Sequence, residues 1–299
     1  MKILFCSDGS AVAEQAVAFG ACVAAGSRAE VTLLGVSEVT VAENTLQTSL
    51  RRSQELLKRH GVNAEIIAKT GRPLSEIVQR SRATVYDLVV LGAERRQGGR
   101  PLLGSAGAYD VIEAITPPVL LHVGQLRPLQ NILLCTGGGE QSSKTVELTG
   151  TIARSSGAVV TLFHVLAAPP VLYAHLLKQE DDARQVLASD SSLGRGLREE
   201  QARLKELGVQ CHVRLRHGQV VPELLTELQQ VQYDLVVTGS SPARDPLRAY
   251  MLGNVTREVI KHATWPVLVV RTGALPRRWS RFVSGLFSGA QPPPETPPC

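Results

Sequence analysis

The sequence predicts an α/β protein made of two tandem units, each a parallel sheet covered by helices. Three observations carry this. A run of seven residues, YDLVVLG at 86–92, returns as YDLVVTG at 233–239, 147 positions later in a chain of 299. Short apolar, β-branched runs alternate in both halves with longer stretches of helical periodicity. Within the short runs apolar residues stand at successive positions, the pattern of strands buried on both faces.

In the first half the strand-like runs are KILFC (2–6), VTLLGV (31–36), AEIIAK (64–69), DLVVLG (87–92) and PVLLHV (118–123). After the first of them, Ser10 is suited to cap a helix whose apolar face is Ala13, Ala16, Val17 and Gly20. The second half repeats the order. KILFCSDGS (2–10) matches NILLCTGGG (131–139) and VTLLGV matches VTLFHV (160–165), both at an offset of 129. HGVNAEIIAKTG (60–71) matches LGVQCHVRLRHG (207–218) at an offset of 147. The offset therefore grows by 18, which places an insertion between Val165 and Gly208, about residues 167–196, opened by Pro-Pro and continued by a charged, helix-prone stretch. The expected units are 1–124 and 128–272, joined by QLRP. In the tail, 273–299, Trp279, Phe282, Val283, Leu286 and Phe287 share a helical face beside Arg277, Arg278 and Arg281, and a Pro-rich end follows. The segment 277–287 suits weak docking to an anionic membrane or a protein.

Composition narrows the function. The net charge is +5, but Arg271, Arg277, Arg278 and Arg281 against Glu295 supply +3 of it, leaving a body near neutral and arguing against nucleic acid as a partner. Five cysteines without CxxC spacing suggest neither a disulfide framework nor zinc, and Cys6 and Cys135 read as small core residues. The seven histidines are scattered without a recognisable ligand set. The start, MKILFCSDGS, is too polar for the core of a signal peptide, and no apolar run is long enough to span a bilayer. A cytoplasmic location is expected.

In an open parallel sheet, ligands bind outside the carboxyl ends of the strands, where the strand order reverses. That directs attention to SDGS (7–10) and to GAERRQGGRPLLGS (92–105), which leads into an expected helix start at GSAGAYDVIEAI (104–115). Free N–H groups at such a helix start favour phosphate. Gly104 would allow close approach, Ser105 would donate a hydroxyl, and Asp8 could accept from a ribose or base. The competing reading of Gly92 and Gly104 is turn chemistry between strand and helix.

A first strand ending in Asp-Gly-Ser, a fourth ending in Gly, a Gly-rich loop, LLGS and PVLLHV resemble the universal stress protein family, over about residues 1–272. The resemblance implies two flavodoxin-like (adenine-nucleotide alpha hydrolase-like) five-stranded parallel sheets of strand order 3-2-1-4-5, paired through their last strands as a pseudo-dimer. It also implies, for a subset of members, ATP binding through G-x2-G-x9-G-[ST]. Here Asp8, Val36 and Gly92 fit, Arg95 stands for the second glycine, and Gly104 with Ser105 arrives one residue early. Arg95 and Arg96 either pair with phosphates or are solvated loop charges. In the second half Gly137 replaces the acid, Gly239 keeps the strand end, Pro242 replaces the second glycine, and Gly253 is followed by Asn254 in place of a hydroxyl.

The expectation is a regulatory protein binding ATP or another adenine nucleotide, with or without magnesium, in its first unit, beside a degenerate second site. Two chains are free to associate further. A ligand-free scaffold of the same fold is the alternative. A more remote one is an ATP-using enzyme built on TGGGEQS (136–142), a faint likeness to the SGGxDS loop of ATP pyrophosphatases.

Overall fold

The computed structural model describes residues 1–38, 43–95, 101–103, 106–139, 142–167, 179–240 and 253–271. The segment 277–287 lies outside them. The first half runs β1 (Lys2–Ser7), α1 (Ala11–Gly26), β2 (Glu30–Ser37), α2 (Glu43–Arg59), β3 (Ala64–Thr70), α3 (Pro73–Ala83), β4 (Leu88–Gly92), β5 (Glu94–Arg95), β6 (Pro101–Leu103), β7 (Ala106–Gly107), α4 (Ala108–Ala114) and β8 (Val119–His122). The second runs β9 (Asn131–Cys135), α5 (Ser143–Ser156), β10 (Val159–Leu166), α6 (Gln179–Ala188), α7 (Ser192–Glu206), β11 (Cys211–His217), α8 (Val220–Gln230), β12 (Leu235–Ser240), α9 (Asn254–His262) and β13 (Val267–Arg271).

Each half orders its strands as expected, β3-β2-β1-β4-β8 and β11-β10-β9-β12-β13, all parallel within the half. The last strands then pair antiparallel, so the two sheets merge edge to edge into one of ten strands. Two apolar layers cover it. One holds residues of α1, α2, α5 and α7, the other residues of α3, α4, α8 and α9.

The register reveals a pseudo-twofold axis, because a rotation brings equivalent residues face to face. Leu120 and Leu268 hold the same place in PVLLHV and PVLVVR, and they are direct partners across the β8–β13 seam. In the first layer the axis passes Gly26 and Ser155, equivalent at the offset of 129, where a Cβ on Gly26 would lie 2.5 Å from that of Ser155. In the second layer it passes Tyr109 and Arg257, equivalent at 148, where Arg257 Nε donates to the Tyr109 hydroxyl at 2.9 Å with the guanidinium 5.3 Å from the ring centroid.

One contact across the axis is not reciprocated. Arg271 Nη1 donates to the carbonyls of Ile112 (3.3 Å), Glu113 (2.8 Å) and Ile115 (3.1 Å), placing a cation on the C-terminus of α4. Burial pulls the Arg271 pKa down, the cost of that position. The equivalent residue in the first half is Val123, which has no such donor.

The switch point of the first half lies between β1 and β4, and α1 is seated directly over it. A Cβ on Gly92 would run into the Val12 carbonyl and lie 2.9 Å from Ala13 Cα. Gly92 thus lets the end of β4 and the first turn of α1 touch, a packing demand beyond the turn chemistry expected for it.

Two outcomes follow for equilibrium urea unfolding. Arg271→Met, which leaves the carbonyls of α4 without their cation, is expected to cost about 2 kcal/mol, as for hydrogen bonds to charged groups. Arg271→Lys should recover only part of that, lacking the planar fork. Gly92→Ala is expected to cost about 2 kcal/mol by overpacking in the ligand-free protein.

Candidate functional site

At the carboxyl end of β1 the chain turns through Gly9, whose φ of +83° lies in the left-handed region that glycine enters freely. The turn satisfies itself. Gly9 N donates to Ser7 Oγ (3.1 Å), Ser10 N to Asp8 Oδ1 (3.0 Å), and Ala13 N to Ser10 Oγ (3.2 Å), the expected N-cap of α1. Asp8 is half-exposed, and no further partner is seen for its carboxylate among the described residues. Val36, near the end of β2, is buried in the second apolar layer, so only its backbone is placed to meet a ligand.

After β4 the structure departs from expectation. The Gly-rich loop is in part a small antiparallel sheet, β5-β6-β7, in which Glu94 pairs with Leu102 and Leu103 with Ala106. The backbone of Arg95 belongs to β5, while its side chain, and all of Gly104 and Ser105, lie outside the described residues. The helix begins at Ala108 and not at Gly104 or Ser105. Its N-terminus already has an anion. Asp110, in the first turn, folds back so far that a Cβ on Gly107 would lie 2.8 Å from its carboxylate, and an acid there is what the helix dipole favours. The helix thus carries an acid of its own in its first turn, while the expected phosphate contacts at Gly104 and Ser105 fall on residues outside the described ones.

The second half repeats the first turn with altered chemistry. Gly138 N donates to Thr136 Oγ1 at 2.9 Å, as Gly9 does to Ser7, and Gly138 has φ +67°. Gly137, in the place of Asp8, has no atom within 4 Å of where a Cβ would be. Gly239 at the end of β12 is equally loose, with Thr145 Oγ1 at 3.5 Å, unlike its wedged counterpart Gly92. Gly253 is the N-cap residue of α9 without a side-chain cap; Asn254 opens the helix, its side chain outside the described residues along with Pro242.

What fills this second crevice was not expected. Helix α7, counterpart of α2, lies so close to the turn that a Cβ on Gly196 would sit 2.6 Å from the carbonyl carbon of Gly138, while Leu193 Cδ1 lies 2.5 Å from a Cβ built on Gly138. From the same helix Glu200, 6% exposed, accepts at Oε1 from Thr136 Oγ1 (2.6 Å) and lies in hydrogen-bond contact with Ser142 Oγ. Burial pushes its carboxyl above the ordinary carboxylate range, against the lowering effect of those two hydroxyls and of His164. His164 Nδ1 lies 2.8 Å from the Thr136 carbonyl. A signal was present: Leu193, Leu197, Glu200 and Leu204 share one face of α7, so a carboxylate interrupts an apolar stripe. In the first half the equivalent of Glu200 is Ser53, whose buried hydroxyl has no partner among the described residues.

Among the described residues no group of three or more His, Cys, Asp or Glu is placed to hold a metal. Cys6 is buried and its thiol pKa is raised by that burial; Cys135, half-buried against the second apolar layer, has its thiol pushed up to about 12 by desolvation.

Comparison with known proteins completes the picture. A universal stress protein, MJ0531 of Methanocaldococcus jannaschii, is 26% identical over 152 residues, spanning 48% of this chain and 82% of its own length. A universal stress protein from Archaeoglobus fulgidus superposes with a TM-score of 0.64 at 17% identity, covering 91% of this chain and 98% of that one. PA1789 of Pseudomonas aeruginosa, described as functionally unknown, does so with 0.65 at 15%, covering 95% and 97%. These two show the fold. The model of the universal stress protein family matches twice, at residues 1–121 and 128–271. With a repeated match, a 3-2-1-4-5 sheet in each half and a pseudo-twofold seam, the chain belongs to the universal stress protein family as a tandem two-domain member.

Proposed function

We propose that this protein is a cytoplasmic regulatory member of its family that binds one adenine nucleotide, ATP or a close relative, with or without magnesium, in the unit 1–124. The unit 128–272 carries a degenerate site. The observation supporting this is the contrast between the two turns: Asp8 stands at the first, whereas the second has Gly137 in its place and Glu200 buried against its hydroxyls. The close seat of α7 on Gly138 leaves little room for a ligand there. In the first half Asp8, the backbone beside Val36, Gly9 and the end of β4 would meet the nucleoside, with Arg95, Gly104 and Ser105 assigned to the phosphates by resemblance to the family pattern.

We assign no turnover. The TGGG loop, the one enzyme-like motif, has Thr136 engaged by Gly138 N and Glu200, and Ser142 engaged by Gly139 and Glu200. No helix among the described residues is long and apolar enough to cross a membrane.

A ligand-free scaffold is favoured by one observation: Asp110 occupies the N-terminus of α4 that phosphate would otherwise use. Isothermal calorimetry with ATP separates the readings. Nucleotide binding predicts a stoichiometry near one, weakened about tenfold or more by Asp8→Ala, the loss of one charged hydrogen-bond partner. Thermal melts of the variant guard against the effect of losing the bond to Ser10 N. No heat at all would support the scaffold; a stoichiometry of two would overturn the asymmetry.

A further inference from the structure

We propose that Glu200 is a protonated latch: as a neutral acid it holds α7 closed over the Thr136–Gly139 turn, and its ionisation releases that turn and opens the second crevice. The argument is a count of hydrogens. Three close oxygen–oxygen contacts meet here: Thr136 Oγ1 to Glu200 Oε1 at 2.6 Å, Ser142 Oγ to Gly139 O at 2.5 Å, and Ser142 Oγ to Glu200 Oε1. Each contact needs one hydrogen between its oxygens, and the two hydroxyls own one apiece. The hydrogen of Thr136 goes to Glu200, while its oxygen accepts from Gly138 N. Ser142 cannot donate to Gly139 and to Glu200 at once. The third hydrogen must come from the carboxyl, giving a chain from Glu200 to Ser142 Oγ and from Ser142 to the Gly139 carbonyl.

Placement agrees with the count. Glu200 Oε2 is buried and has no partner among the described residues, tolerable for a neutral acid and costly for half of a negative charge. Among the described residues, the charged and titratable groups around it do not outweigh the effect of burial. His164 on β10 is the one that favours ionisation, and Glu199 beside it on α7 opposes it. On β11 the Cys211 thiol is pushed up to about 12 by burial. From α5, Glu147 faces α7 and is paired with Arg203 at 2.9 Å; by the end of α6, Arg198 is turned to the Leu187 and Ser189 carbonyls and to Asp190.

The sign follows. The folded carboxyl has its pKa raised by burial, so the closed state is favoured at low pH and loses stability as pH rises through that value, above the ordinary 4.5. In the first half Ser53 replaces Glu200, so the equivalent turn has no such dependence.

The test uses the full chain and hydrogen exchange, corrected for intrinsic rates, between about pH 5 and pH 8. Amides of 136–139, of Ser142 and of the N-terminal turns of α7 are expected to lose protection by about tenfold or more as pH rises, while those of 7–13 hold theirs. Glu200→Gln, which cannot ionise, should show no such decline with pH. A wild-type profile flat with pH, or the same decline in Glu200→Gln, would overturn the latch. A second reading uses the wild type alone: a buried protonated-carboxyl infrared band that fades over the same pH range supports it, and a carboxyl already ionised in the closed state overturns it.

Discussion

Everything in this molecule hangs on the short seam where β8 meets β13. A five-stranded parallel sheet of order 3-2-1-4-5 ends in an open strand whose N–H and C=O groups would invite unwanted pairing. Here each half closes the other. Val119, Leu120 and Leu121 face Val269, Leu268 and Val267, all buried, so the seam adds apolar packing on both faces to the backbone bonds between the strands. The seam also sets where everything else can lie. It brings α1 against α5 on one side and Tyr109 against Arg257 on the other, and it carries Arg271 to the end of α4.

Away from the seam the halves keep one geometry and exchange its chemistry. Tyr86 and Tyr233 are equivalent, and each hydroxyl meets an ionic side chain from the following layer. In the first half that is Arg80, whose Nε donates to Tyr86 at 2.7 Å. In the second it is the equivalent Glu227, fully buried, which also accepts from Arg214 (2.8 Å) and Arg216 (2.7 Å) on β11. Although burial alone would raise the Glu227 pKa, the hydrogen bonds from Arg216, Arg214 and Tyr233 bring it below the ordinary range. A buried acid with three donors is settled as a charge, whereas Glu200, with two hydroxyls and one empty oxygen, is not.

These differences explain what the sequence made legible. Strand order and seam could be anticipated because YDLVVLG and PVLLHV recur as YDLVVTG and PVLVVR, and buried parallel strands have a pattern that few other elements imitate. The small sheet β5-β7 could not: strands of two or three residues among glycines have no periodicity to read. The start of α4 at Ala108 differs from the expected one for a related reason, since GSAG offers several starting points and the N-cap residue, Gly107, has no capping side chain to choose among them. At the first turn the Ser10 cap was legible because its role is local. Glu200 was missed because its partners, Thr136 and Ser142, are 64 and 58 positions away and meet it only once α7 is seated. His122 looked like one scattered histidine; it is buried on Phe19, ring centroids 5.2 Å apart, with its pKa lowered to about 4 by desolvation.

The axis pairs have a consequence for how such a chain can change over evolutionary time. In a dimer of identical subunits each axis residue meets its own copy, so selection can accept there only what tolerates itself. This chain has left that restriction behind. Two copies of its second half would set Arg257 against Arg257 and Ser155 against Ser155, where even the Gly26 partner leaves 2.5 Å to a Cβ. Two copies of the first would lose the cation that Arg271 brings to α4. The two halves of this chain thus complement each other across the axis in ways that neither would match with a copy of itself.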